Sequence, residues 1–192
     1  MLQGVRLTGF GLAAVLAAAP AMSQQSRITA NDPGFHVLLN GTEISITREG
    51  AACPPACVQP MQAAPEIATI GELEVLAFLD AVAAKGTGLL VDARLPDGFA
   101  AATLPGAVNV PAATLVPGNP YRDDLLAALG VHGGDFSEAF DLVIFAGGPD
   151  SPDAPQALRS LLDAGYPGGK LKYYRGGVQA WTALGLSTAA GQ

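Results

Sequence analysis

The stretch "FDLVIFAGGPDSPDAPQALRSLLDAGY", residues 140–166, decides the fold. "DLVIF" is an unbroken apolar run of strand length, as expected of a strand covered on both faces. A Gly/Pro-rich loop follows, and then "APQALRSLLDAG", with apolar residues at Ala157, Leu158, Leu161 and Leu162, the spacing of a helix with one buried face. A buried strand running through a glycine loop into a helix is the layout of a ligand cradle or of a nucleophile-bearing turn. Yet the loop from Ala146 to Pro152 holds no Cys, His, Lys or Arg.

The same alternation recurs on both sides. "TIGELEVLAFLDAVAAKG" opens with a T-x-x-E pattern, which predicts an N-cap at Thr69 with Glu72 reaching back; Leu73, Leu76, Phe78 and Leu79 would form its apolar face, and Gly86 would end it. "GLLVDAR" is a second buried strand, "LPGAVNVP" a short one entered through a Pro-Gly turn, and "PYRDDLLAALGV" a short helix. "KLKYYRGG" is a last strand and "VQAWTALG" a closing helix, with Trp181 on its apolar side. Strands alternating with helices predict an α/β fold, a mostly parallel sheet with helices on both faces, whose ligands bind beyond the carboxyl ends of the strands. The loop at residues 146–151 lies at such an end.

Upstream, "FHVLLNGTEISITR" alternates apolar and polar residues around Asn40-Gly41, a β-hairpin expected to pack on the main domain because an isolated hairpin is marginal in water. "GAACPPACVQPMQAAP" has four prolines and no periodicity, and reads as a strap. At the N-terminus, Arg6, an apolar run from Leu7 to Ala19 and small residues to Ser23 have the three-part form of a secretory leader; an uncleaved anchor is the alternative. The expected organisation is a signal peptide at 1–23, a hairpin and strap at 24–65, a main domain at 66–188 and a disordered tail at 189–192. Cleavage would imply a periplasmic or secreted protein with no membrane insertion afterwards. With 17 acidic against 10 basic residues and no basic stripe, nucleic acid is not an expected partner.

The chain resembles the rhodanese-like domain family of sulfurtransferases over roughly residues 69–187. "DARLPDGFAAATLPGAVNVP" follows that family's "DxRxxxEFxxGHIPGAxNxP" at Asp92, Arg94, Pro96, Phe99, Pro105, Gly106, Ala107, Asn109 and Pro111. "YYRGGVQAWTALGL" follows its closing "GGxxxWxxxG" at Gly176, Gly177, Trp181 and Gly185. The resemblance implies a nucleophilic Cys at the end of the strand before the loop, loaded as a persulfide and steadied by loop amides. That position is Ala146. The Arg that usually closes the loop is missing too, and Ala102 and Thr103 stand where the family often has Gly-His. By the same resemblance, Asp92 and Arg94 brace the loop from below, with Gly176 and Gly177 as further structural support.

Sulfur transfer at Ala146 is therefore not expected. The amides of Gly147, Gly148, Asp150 and Ser151 remain candidates for an anion-binding nest with Ala146 at its base, although Asp150 and Asp153 bring negative charge to it and three prolines remove donors. A Ser/His/Asp arrangement at Ser151 is not expected, because His36 and His132 lie in a hairpin and a connecting loop. Cys53 and Cys57 have three readings: a structural disulfide, a redox or sulfur-accepting pair, and, with Met61, a soft Cu(I) site. The expected function is an exported binding or accessory module whose partner is a small anion, a thiol compound or a periplasmic protein. The alternative is a sulfurtransferase or thiol-redox enzyme using Cys53 and Cys57. No cofactor is implied.

Overall fold

The computed structural model describes residues 28–29, 31–32, 34–49 and 57–192. The expected leader, Cys53 and the strap's first residues lie outside the described residues. The chain forms β1 (Gly34–Leu39), β2 (Thr42–Thr47), β3 (Ala68–Ile70), α1 (Glu72–Ala81), β4 (Gly88–Asp92) and α2 (Pro96–Ala101). It continues with β5 (Ala107–Asn109), α3 (Arg122–Ala128), β6 (Asp141–Phe145), α4 (Asp153–Asp163), β7 (Leu171–Tyr174) and α5 (Gly177–Ala183). Strands β3 to β7 make one five-stranded sheet in the order β3-β7-β6-β4-β5, every neighbouring pair parallel.

The two-residue period of the strands divides the core. Leu142 and Ile144 of β6, Val91 of β4 and Tyr173 of β7 face a cluster closed by Ala157, Leu158 and Leu161 of α4. Their neighbours Val143, Phe145, Leu90 and Tyr174 face the other way, onto Val75 and Phe78 of α1 and Trp181 of α5. Helices on both faces are thus a consequence of apolar runs with no polar alternate residue. Trp181 is core, its indole N–H donating to the Ser187 carbonyl at 2.8 Å.

Four expectations change. Thr69 lies in β3 and its hydroxyl donates to the Met61 carbonyl, so the helix starts at Glu72 after the N-cap Gly71, whose amide donates to the Glu74 carboxylate at 3.0 Å. With that start, Val75 and Phe78 face inward, while Leu73 and Leu76 are exposed. The hairpin forms with the expected turn, Asn40 and Gly41 both at positive φ. It does not pack as expected: all of β2 is exposed and only Gly34 of β1 is buried. Residues 189–192, expected as a disordered tail, instead pair with the domain: Ala189 exchanges backbone bonds of 2.8 and 2.9 Å with Thr103, and the Gly191 amide donates to Phe99.

The strap is docked on the domain. Ala63 is buried in the α4-side core, and Cys57 and Gln59 are buried as well, so the folded unit begins before residue 66.

Candidate functional site

β6 delivers Phe145 and Ala146 to the carboxyl edge of the sheet, and the loop 147–152 turns the chain into α4. Its shape is set from three sides. Below it, Asp92 is fully buried and accepts from Arg94 through both carboxylate oxygens, from the Arg94 amide and from the Thr103 hydroxyl at 2.8 Å. Arg94 also donates to the Ala102 carbonyl at 2.6 Å, and its stem lies under Gly147, 4.0 Å from where a Cβ would stand. Asp92 and Arg94 thus form a fully bonded knot directly beneath Gly147. Thr103 supplies a hydroxyl to this knot at the position where the family often carries a His.

From the side, α5 clasps the loop through backbone bonds. The Val178 amide donates to the Ala146 carbonyl at 3.1 Å and the Gln179 amide to the Gly147 carbonyl at 2.8 Å. This approach explains Gly177: at φ +57° its Cα sits so close that a Cβ would lie 2.3 Å from the Ala146 oxygen. Gly176 has a negative φ, but a Cβ there would meet Ala180 at 2.8 Å and the Tyr174 ring at 2.9 Å. Gln179 also extends over the loop. Its side-chain amide donates to Asp150 Oδ1 at 3.2 Å, and its Oε1 would be 2.3 Å from any Cβ at Gly148.

Above, the strap crosses the loop. The Gln59 amide donates to the Pro149 carbonyl at 2.7 Å, and the Gln59 carbonyl accepts from Arg175 Nε and Nη2 at 3.1 and 2.9 Å. Gln59 is buried, and Cys57, two residues away, is only 4% exposed. Residues 57–59 thus lie at the carboxyl edge of the sheet. Among the described residues no cysteine is free.

Of the expected nest donors, Ser151 is already engaged, its amide donating to the Gly148 carbonyl at 3.0 Å. The amides of Gly147, Gly148 and Asp150 donate to no acceptor among the described residues. The carboxylates expected to repel an anion are partly occupied: Asp150 takes the Gln179 amide, and Asp153 accepts from the Ser151 hydroxyl at 3.1 Å. Nearby, burial pushes the Tyr173 hydroxyl up to about 12, against the lowering pull of the Arg175 and Arg159 charges. His36 pairs loosely with Glu43 in the hairpin and His132 bridges to Asp135, so neither histidine is brought to Ser151. A cavity of about 410 Å³ lined by Arg122, Leu126, Val131 and Phe136 lies between α3 and α4, away from the loop.

Sequence reasoning missed Gln59, Arg175 and Gln179. Gln179 was within reach, following the Gly-Gly pair in "GGVQAW". Nothing local marks Gln59, whose role depends on contacts 90 and 116 positions away in the chain.

The family model described as "Rhodanese-like domain" matches residues 74–184. No curated protein sequence matches the chain. Among solved structures, a Bacillus halodurans protein is 16% identical, covering 64% of this chain and 77% of its own, with a TM-score of 0.49. A thiosulfate sulfurtransferase from Pseudomonas aeruginosa is 25% identical over 69% of this chain, with a TM-score of 0.47; only 22% of that longer protein is spanned. The rhodanese-like domain of an Anabaena protein is 18% identical, covering 64% and 78% of the two chains, with a TM-score of 0.44.

Proposed function

Because the chain belongs to the rhodanese-like domain family, a sulfurtransferase-type family, we propose that it keeps that family's loop as a binding cradle and lacks the group that would carry sulfur. One observation carries this reading. The loop is held on three sides in a defined shape with the amides of Gly147, Gly148 and Asp150 unengaged among the described residues, while its base is the methyl group of Ala146. A methyl cannot attack a sulfane sulfur, whereas a rigid set of amides can still accept an anion or an anionic thiol compound. The protein then acts as an accessory module, offering the cradle to a small anion, a thiol compound or a protein partner.

The leader-like N-terminus supports a periplasmic or secreted site of action, where Cys53 and Cys57 would pair. Among the described residues no helix is long and apolar enough to cross a membrane. A structural bridge is the reading of the cysteines that burial favours. Cys57 is 4% exposed with no free thiol, which disfavours both attack on a donor and presentation of a thiolate to copper beside Met61.

Two measurements test this. Thiosulfate:cyanide sulfur transfer by the purified protein should not exceed the blank, and turnover abolished by Cys53→Ser would overturn the reading in favour of a displaced-cysteine enzyme. Titration with thiosulfate should shift the backbone resonances of Gly147, Gly148 and Asp150. Unmoved loop amides would reject the cradle.

A further inference from the structure

The family's loop cation is missing, yet a guanidinium stands at the same edge of the sheet. Arg175 leaves the end of β7 immediately before Gly176-Gly177, and both its Nε and Nη2 are directed at one atom, the carbonyl oxygen of Gln59. The amide of that same residue is bonded to Pro149 of the loop. Since one residue spans the two contacts, the Arg175 guanidinium lies no more than about 9 Å from the Pro149 oxygen. Arg94, a second cation beside the loop, is already committed to Asp92 and to the Ala102 carbonyl.

The contact with Gln59 is a poor match for an arginine. A guanidinium presents a planar fork of donors suited to two oxygens of one anion, and such charge-assisted pairs are the stronger ones. Here two donors converge on a single neutral acceptor. An oxyanion offering two oxygens would exchange this bifurcated contact for two parallel charge-assisted bonds. The cost is a carbonyl at Gln59 that must find water or move, with the bond from the Gln59 amide to Pro149 given up as the strap shifts.

We infer that Arg175 is the anion-recognising residue of the loop site, held in reserve by the Gln59 carbonyl of the strap until a small divalent oxyanion displaces it. This rests on the reading of the loop amides as a cradle, and adds to it the charge selectivity of the ligand and a self-made competitor. Arg175 recruits from β7 what the loop itself lacks, and the strap keeps the guanidinium from pairing with unrelated anions.

A recognition role and a purely structural one predict opposite results. If Arg175 only clamps the strap, removing it frees the loop and anion binding stays equal or tightens. If it recognises the anion, removing it weakens binding although the strap is looser. The test follows the amides of Gly147, Gly148 and Asp150 during titration of the purified protein with thiosulfate, ionic strength being held constant with sodium chloride. Arg175→Gln should weaken thiosulfate binding by about ten-fold or more, and Arg175→Lys, which keeps charge but loses the fork, by less. Gln59→Pro, which removes the amide bonded to Pro149 and loosens the strap, should tighten binding by roughly three-fold. Unchanged or tighter binding in Arg175→Gln, with the far-ultraviolet spectrum of the wild type, overturns the inference while leaving the cradle standing. Loop amides that move in no variant, Gln59→Pro included, reject the cradle itself and the inference with it.

Discussion

In the proposed reading, Ala146 is the residue on which function turns. Its neighbours retain the loop's architecture: the carbonyl is clasped by Val178, the following glycine rests on Arg94, and the Asp92 knot beneath is fully bonded. If the only loss is the sulfur-bearing atom, restoring it should restore the first half of the chemistry. Ala146→Cys is therefore expected to acquire the mass of one sulfur atom on incubation with thiosulfate, the new thiolate attacking the outer sulfur and sulfite leaving. Wild-type protein should acquire none. Because Ala146 is only 3% exposed and Gln179 and the strap lie over the loop, loading should be slow, and faster with Gln59→Pro added. A folded Ala146→Cys variant that takes up no sulfur under any of these conditions would show that the loop has departed from a sulfur-holding shape as well. That Ala146 ends the strand before the loop was legible in the sequence, because "DLVIF" runs directly into the glycines. The bond from Thr103 to Asp92 was not, since a hydroxyl reaching Asp92 from eleven residues away leaves no local trace.

At the scale of elements, β7 shows how burial and proton binding are linked. Tyr173 and Tyr174 point to opposite faces of the sheet, and both phenols are held above their ordinary pKa, Tyr173 at about 12 because of burial. Tyr174 is raised by burial and then by its hydrogen bond to Glu72. An unfolded tyrosine titrates near about 10. A phenol that holds its proton more tightly when folded contributes stability fully below that value, and the contribution is lost as pH rises through the folded pKa. Urea midpoints measured from pH 9 upward should thus fall above about pH 10, and Tyr173→Phe should flatten the fall between about 10 and 12. Parallel curves for the two proteins would contradict the linkage. The strand itself was legible as "KLKYY", as were β4 and β6, because apolar runs in parallel sheets are continuous. β3 was not: its three residues carry no alternation, and the T-x-x-E signal overlying them marked a helix start at Thr69 that backbone pairing with β7 overrides.

For the whole molecule, the organisation follows from which segments bury surface against the sheet. The hairpin buries almost none of its own, whereas the strap contributes Ala63 to the core and ties Gln59 to both Pro149 and Arg175. A sequence reading takes residues 50–65 as a covering strap and places the domain start at 66, because prolines and missing periodicity do not report on docking. A fragment of residues 57–192, with Cys57 kept reduced, gives up the bond from the Cys57 amide to the Ile28 carbonyl together with segments that are otherwise mostly exposed among the described residues, so a loss of about 1–2 kcal/mol is expected in urea unfolding. A fragment of 66–192 gives up Ala63, which buries a methyl worth of order 1 kcal/mol, and the Gln59 bonds, each worth about 1 kcal/mol net. It also leaves Pro149 and Arg175 without that partner, so a loss of about 2–4 kcal/mol is expected. The loop should loosen with it, giving faster exchange at Ser151 and Gln179, whose amides are bonded to loop carbonyls. Equal stability of the two fragments would mean that the strap only rests on the domain, and a cover that contributes nothing to folding could not hold Arg175 in reserve.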